Sequence, residues 1–557
     1  MQHKRDSRIL ADFDNSGTGD QYNNSGPGRQ YNNPGPGTQY NATSMNFGNK
    51  EKDTFLADLR ITDPRDDKTR IERTKGNLLK DSYRWILDHD DFCRWRAEKS
   101  LLWVKGTPGK GKTMLMCGVI DEMVAMGYNS TFFFFCQAAD ARLNTANSVL
   151  RGLLYLILDQ NPSLVDQLRD KYDRAGAGKR LFDDINSWDV LCKMLLSALS
   201  HESLHDVIVV IDALDECTSG LDELISFIVD LTTHVKVIAS SRPELHIHRG
   251  LAAALENTRI YLSLELNEDV ISAAVKSYIY HKVEKLAALK GFDDETKANI
   301  REHLVTKADN TFLWVALVYD QLADNRVGKG HMQERLHRLP PGLDSLYMRI
   351  LNQILGSENP QDAEDCRRIL AVMSIVTRPL DLAELALLLD RVEFLAEKVG
   401  ECGSLLTVRD NIVYFIHQSA KDFLIKQEDN IMPLGSRHNH NLILSKLLQA
   451  MSTKLRRNIY NVKKDGTAFD EICVPTPDPL APVRYACVYW ADHLTENQVG
   501  NQQLDEVHLF MAEHFLHWLE ALSLLRSISE GILSMSRMQQ INEASFQGAY
   551  ISTMSVC

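Results

Sequence analysis

Gly106-Thr107-Pro108-Gly109-Lys110-Gly111-Lys112-Thr113 decides how this chain is read. The octet satisfies the phosphate-binding pattern G-x-x-x-x-G-K-[ST], and its flanks have the character that pattern needs. Before it, Leu101-Leu102-Trp103-Val104 reads as a buried strand; after it, the run from Met114 to about Met126 reads as a helix. A glycine-rich turn between strand and helix lets main-chain N–H groups and the helix N-terminus converge on an anion. Gly106, Thr107, Gly109, Lys110 and Gly111 would form that cradle, with Lys112 reaching the β- and γ-phosphates and the Thr113 hydroxyl ligating Mg²⁺. The strand–loop–helix context separates this from an ordinary glycine turn and implies a bound nucleoside triphosphate, ATP or GTP.

Beyond the octet, strand ends supply acids. Asp206-Val207-Ile208-Val209-Val210-Ile211-Asp212 is a β-branched run ending in a carboxylate, as in a parallel strand buried on both faces. At the carboxyl end of such a strand Asp212 faces the nucleotide crevice and can hold the Mg²⁺ hydration shell. Asp215 and Glu216, one short turn later, are placed to orient or deprotonate an attacking water. A further buried run, Val235 to Ser241, ends in Arg242-Pro243. Two readings of Arg242 stand side by side: a γ-phosphate sensor, or a structural arginine pairing an acid of the neighbouring strand. The run Thr131 to Cys136 adds another strand, and Ser148 to Leu158 a helix.

Composition bounds the alternatives. The chain has 557 residues, 44% apolar and 25% charged, enough for about three or four folding units with real cores. A net charge of −13 with no Lys/Arg block argues against wrapping nucleic acid. Ten scattered cysteines without a C-x-x-C pair suit reduced thiols. No apolar h-region opens the chain, and no apolar stretch approaches the roughly 20 residues that span a bilayer. These features predict a soluble, cytoplasmic protein with no membrane insertion.

Residues 17–41 differ in kind from the rest. A nine-residue unit recurs three times as G-x-G-x-Q-Y-N: Gly17 to Asn23, Gly26 to Asn32 and Gly35 to Asn41. So polar and glycine-rich a segment cannot bury a core and is expected to be disordered in the monomer. Stacked in register, its Gln and Asn amides and its tyrosines suit a cross-β assembly. A flexible tether is the other reading, and Pro27, Pro34 and Pro36 favour it, since proline removes a ladder donor. The repeat resembles the sigma-type amyloid signalling motif at the N-terminus of some fungal STAND proteins, the NOD-like receptors of filamentous fungi. That resemblance implies a partner: a separate effector protein whose matching segment the motif templates.

Together, the strand–P-loop–helix, the Asp212-Ala213-Leu214-Asp215-Glu216 stretch and the strand ending Ser240-Ser241-Arg242-Pro243 resemble the NACHT family of STAND NTPases. No N-K-x-D guanine motif is present, so the base stays open between ATP and GTP. The resemblance implies an α/β fold, a P-loop NTPase with a doubly wound parallel sheet, followed by a helical domain, a winged helix and a helical C-terminal region. On this reading 1–50 is the disordered repeat segment, 51–99 a helical lead-in and 100–245 the nucleotide-binding domain. Residues 246–335 form the helical domain, 336–430 the winged helix and 431–557 the helical C-terminal region. The lead-in carries Tyr83, Trp85, Phe92 and Trp95, expected to pack on the sheet. Asn267 is a candidate N-cap, and the stretch from Ala308 to Leu317, which opens another helix, falls where relatives contact base or ribose, but lacks their proline.

His417 falls at the end of the winged-helix strand Asn411 to Ile416. The resemblance gives it a role, binding the β-phosphate of a diphosphate; from the residues alone a surface histidine fits equally well. No basic recognition helix accompanies the winged helix, so nucleic acid is not expected. No sensor-type repeat follows residue 431, and the ligand-sensing part is expected from elsewhere or lost. The resemblance thus implies a nucleotide-gated switch that self-associates on activation and hydrolyses slowly. An NTPase with steady turnover and a nucleotide-stabilised scaffold are the rival readings.

Overall fold

The structure is a computed structural model that describes residues 55–97, 100–174, 181–182, 186–258, 261–324, 332–389, 394–463, 471–494 and 501–540. The repeats at 17–41 and the expected disorder of residues 1–50 lie outside the described residues.

Five parallel strands form the central sheet: β1 (Leu101–Lys105), β2 (Thr131–Phe135), β3 (Ile208–Asp212), β4 (Lys236–Ser241) and β5 (Tyr261–Ser263). They lie in the order β2-β3-β4-β1-β5. Every residue of β2 and β3 is buried, as continuous apolar runs require when helices cover both faces. The covering helices include α1 (Pro64–Lys75), α2 (Lys112–Ala125), α3 (Ala146–Gln160), α4 (Ser187–Leu199), α5 (Leu221–Leu231) and α6 (Leu245–Thr258). The fifth strand comes from beyond residue 245, where the sequence pattern alone starts a helical domain. At three residues it is too short to display an alternation.

Register brings the chemistry together. Val104 pairs with Ser240 and Ile211 with Ala239, so Asp212 at the end of β3 stands level with Ser240 and the start of the P-loop. The lead-in folds onto this sheet. Tyr83, Phe92 and Trp95 are buried, and the Tyr83 ring sits so close to α2 that a Cβ on Gly118 would lie 2.4 Å from it. Trp95 donates its indole N–H to the carbonyls of Ser100 and Val237, at 3.1 and 3.0 Å.

Helices α7 (Glu268–Lys290), α8 (Asp294–Lys307) and α9 (Phe312–Ala323) follow the sheet. Asn267 does precede α7, but its side chain makes no cap bond there. Its amide instead donates to the Ser263 carbonyl at 2.8 Å and its Oδ1 meets His89 Nε2 at 3.0 Å, tying α7 to β5 and the lead-in.

The winged helix comprises α10 (Leu343–Leu355), α11 (Pro360–Ile375), β6 (Leu380–Asp381), α12 (Leu382–Leu388), β7 (Leu406–Arg409), β8 (Ile412–Phe415) and α13 (Gln418–Lys426). Its sheet is antiparallel, in the order β6-β8-β7. Asp381 and Glu384 form a capping box on α12. Glu384 also pairs with Arg378 at 2.7 Å and accepts the Tyr485 N–H at 2.9 Å, which joins this module to the C-terminal helices. Those helices, led by α14 (Ser436–Lys454) and α15 (Asn501–Leu524), pack around Trp490 and Trp518, whose rings meet edge to face at 5.9 Å. Among the described residues no helix is long and apolar enough to cross a membrane.

Candidate nucleotide site

The loop from Gly106 to Gly111 turns between β1 and α2, and α2 begins at Lys112. Gly109 and Gly111 have φ of +81° and +86°, a left-handed conformation that side-chain-bearing residues resist. Space forbids a Cβ there as well: on Gly109 it would lie 2.8 Å from Thr311 Cγ2, and on Gly111 2.9 Å from the Phe312 ring. The loop is therefore pressed against the first turn of α9. Leu313 N–H donates to the Gly109 carbonyl at 3.3 Å, and Lys110 extends its ammonium to the Asp309 carbonyl at 3.1 Å. The Lys110 side chain is thus engaged by the segment that leads into α9. At the loop's start the Thr107 N–H donates to Glu265 Oε1 at 2.5 Å.

Lys112 folds its ammonium back over the loop, donating to the carbonyls of Gly106 and Thr107. Burial lowers its pKa, while the carboxylates of Asp215 and Asp212 act against that shift. Asp212 is fully buried and its pKa is raised by burial; Ser240 and Thr113 donate hydroxyl hydrogen bonds to it. Thr113 and Asp212 together present hard oxygen donors beside the loop, a set that fits Mg²⁺.

The two following acids have different surroundings. Glu216 accepts the Ala138 N–H at 3.0 Å, and burial pushes its carboxyl up to about 7. Asp215 is held by Arg242, which approaches it through Nε at 2.9 Å and through its main-chain N–H at 3.0 Å. The same guanidinium reaches Asp422 on α13 of the winged helix through Nη1. Arg242 thus borders the cavity and pairs with Asp215, an acid one short turn past the neighbouring strand β3.

His417 caps α13, and its Nδ1 accepts the Ser419 N–H at 3.1 Å. That bond leaves the ring's proton on Nε2. Burial, followed by the charges of Lys75, Arg242 and Lys112, pushes its pKa down to about 3, so the imidazole is neutral. One cavity of about 470 Å³ opens here, walled by the P-loop, the lead-in, α7, α9 and the end of β8. His417, Arg242, Asp215 and Glu216 lie on it together with Lys112 and Thr113. Asp422 was legible only as part of the segment after His417; nothing in the sequence pairs it with Arg242. Lys75, Lys282 and Asp320 also border the cavity, without a motif to signal them.

A P-loop beside three parallel strand ends, acids one turn past β3, and a winged helix reaching back into the same cavity define a P-loop NTPase of the STAND class. Known families agree: the model described as Nephrocystin 3, N-terminal, matches residues 81–242, and the sigma domain on NACHT-NTPases matches residues 10–48. The chain is a NACHT-type STAND protein with a sigma motif. Vegetative incompatibility protein HET-E-1 of Podospora anserina is 44% identical over 536 residues, 90% of this chain and 39% of that protein. The chain thus spans about two fifths of that relative's length. Among solved structures, a STAND protein with a tetratricopeptide repeat sensor from Pyrococcus horikoshii aligns over 81% of this chain and 63% of its own. Its identity is 14% and its TM-score 0.32, too loose to carry a residue correspondence. The Aeropyrum pernix ORC1 protein, solved with DNA, aligns over 63% of this chain and 98% of its own, at 14% identity and a TM-score of 0.25.

Proposed function

We propose that this chain is a nucleotide-gated signalling switch. The observation that carries the reading is the winged helix's two contacts with the site, His417 lining the cavity and Asp422 paired with Arg242, which lines it. With a diphosphate bound, the His417 Nε2–H would donate to the β-phosphate and hold the winged helix closed. A triphosphate would place its γ-phosphate where Arg242 now meets Asp422, and the two anions would compete for one guanidinium. A ligand shifts such an equilibrium only through its differential affinity for the two arrangements, and this competition supplies one. When bound, Mg²⁺ held by Thr113 and Asp212 would neutralise phosphate charge. Glu216 would take the proton of the attacking water, while Asp215 positions Arg242. Hydrolysis would be slow and would reset the switch.

Opening would let chains associate and cluster their sigma repeats, which would template a matching segment on an effector protein. By analogy with the relative's name, the response belongs to vegetative incompatibility between fungal cells. The test is His417→Ala in the full chain. Diphosphate affinity is expected to fall at least about fivefold against triphosphate affinity, roughly one hydrogen bond's worth. An unchanged ratio overturns the closed-state role. Turnover near the 1–100 s⁻¹ typical of kinases would replace the switch by a working NTPase. For the repeats, a peptide from Asn15 to Phe47 that stays monomeric when seeded would remove the route to the effector.

A further inference from the structure

We propose that Cys366 and Cys402 form an oxidation site in the winged helix. A hydroperoxide converts the two thiols to a disulfide, with Cys366 the attacking sulfur and Cys402 the resolving one. Neither residue borders the nucleotide cavity.

Cys366 lies on α11, and Cys402 ends the helix Leu395–Glu401, just before the turn Gly403–Leu405 that opens β7. The two are 36 positions apart in the chain, yet their thiols converge on one carbonyl. Cys366 Sγ stands 3.8 Å from the Lys398 oxygen and Cys402 Sγ 3.5 Å. Cys402 Sγ also lies 4.0 Å from the Cys366 carbonyl oxygen, and the two sulfurs hydrogen-bond to each other. The backbone of one cysteine thus lies against the sulfur of the other, the proximity that a disulfide requires. Both side chains are buried, but Glu401 and Gly403 on either side of Cys402 are exposed, so the pair sits just below the surface.

The thiolate is the nucleophile of sulfur chemistry, and burial in apolar surroundings suppresses it. Burial pushes the thiols of Cys117, Cys136, Cys192, Cys217 and Cys487 up in this way. Cys366 is held below the ordinary thiol range, first by the hydrogen bond with Cys402, and the Lys398 charge acts in the same direction. Cys402 moves the other way, through the same hydrogen bond and through burial. One sulfur is therefore poised to attack, and its neighbour keeps its proton until the second step.

In the first step the Cys366 thiolate attacks one oxygen of the peroxide. A sulfur–oxygen bond forms, the O–O bond breaks, and the departing hydroxide takes up the thiol's proton as water, leaving a sulfenic acid. In the second, the Cys402 sulfur attacks the Cys366 sulfur; the S–O bond breaks and hydroxide leaves with the Cys402 proton as a second water. Two thiols lose two electrons and the peroxide gains them. The bridge ties α11 to the turn from which β7 and β8 carry Arg409 and His417 to the cavity, and so stiffens the module that bears His417.

The exposed Cys473 provides an internal standard. Hydrogen peroxide is added to the folded full-length chain until Cys473 is oxidised; remaining thiols are then alkylated in denaturant and the peptides read by mass spectrometry. A linked Cys366–Cys402 peptide is expected, with both thiols lost to alkylation and both restored by dithiothreitol. The bridged protein should melt at a higher temperature than the reduced one, because the bridge restricts the unfolded chain. Cys402→Ser should stop at a sulfenic acid on Cys366 that dimedone captures, whereas Cys366→Ser should leave Cys402 unoxidised. That asymmetry does not arise from loss of folding, which would expose either sulfur alike. Cys366 and Cys402 both still open to alkylation once Cys473 is oxidised, a linked peptide that forms only in denaturant, or dimedone capture at Cys402 in place of Cys366 overturns the proposal.

Discussion

Glu216 borders the cavity, and its charge changes near neutral pH. Its carboxyl is raised from 4.5 to about 7, first by burial, while the Ala138 N–H holds one oxygen in place. Below about 7 it is protonated and cannot accept a proton, so hydrolysis should rise with pH through that value, and Glu216→Gln should flatten the profile while keeping nucleotide affinity. Stability runs the other way. Because the folded value lies above the unfolded one, Glu216 costs nothing below about 4.5, and its burial penalty grows as pH rises to 7. The nucleotide-free Glu216→Gln variant should therefore be more stable than wild type at pH 8, by about 1–3 kcal/mol, and no more stable at pH 4.5. Urea unfolding at the two pH values reads this. His417 has the opposite sign: its depressed value makes it stabilising above 6.5, with stability lost as pH falls from 6.5 towards 3.

At the scale of elements, the P-loop and α9 act as one piece. Gly111 combines a left-handed backbone with a ring 2.9 Å from any added Cβ, so Gly111→Ala is opposed twice. Forcing an alanine into that conformation costs about 1–2 kcal/mol before the Phe312 ring is displaced. Thermal unfolding should show that loss, and nucleotide titration a larger one, since the loop's N–H groups are re-aimed. A variant with wild-type affinity would mean the loop does not hold the phosphates. This coupling marks where sequence reading stops. The octet, the β3 run and the acids were legible because their patterns are local: periodicity, a motif and a strand end. The pressing of Phe312 on Gly111 and the pairing of Asp422 with Arg242 join residues far apart in the chain, and no local period encodes them. Asn267 shows the same limit, since it sits at the start of α7 but spends its amide on β5.

Across the whole molecule, the sheet and the winged helix are joined at the cavity through one guanidinium. Arg242 is shared between Asp215, which belongs to its own sheet, and Asp422, which does not. The pairing with Asp215 is also made through the main chain, so Arg242 stays in place when Asp422 is lost. Asp422→Asn should therefore weaken the contact between the two modules without disordering the phosphate site. The pair is partly exposed, with side-chain accessibilities of 20% and 28%, so a cost of about 1 kcal/mol or less is expected. A shift of that size changes an equilibrium about fivefold. With diphosphate bound, the variant should populate the open arrangement more, which size-exclusion chromatography would read as association. With triphosphate bound, the γ-phosphate would already have taken Arg242 from Asp422, so variant and wild type should converge. Raised salt should narrow the difference in the diphosphate state, because it screens the partly exposed pair. Equal behaviour of variant and wild type with diphosphate, at low salt, would mean that Asp422 carries none of the closure, leaving His417 to hold the winged helix alone.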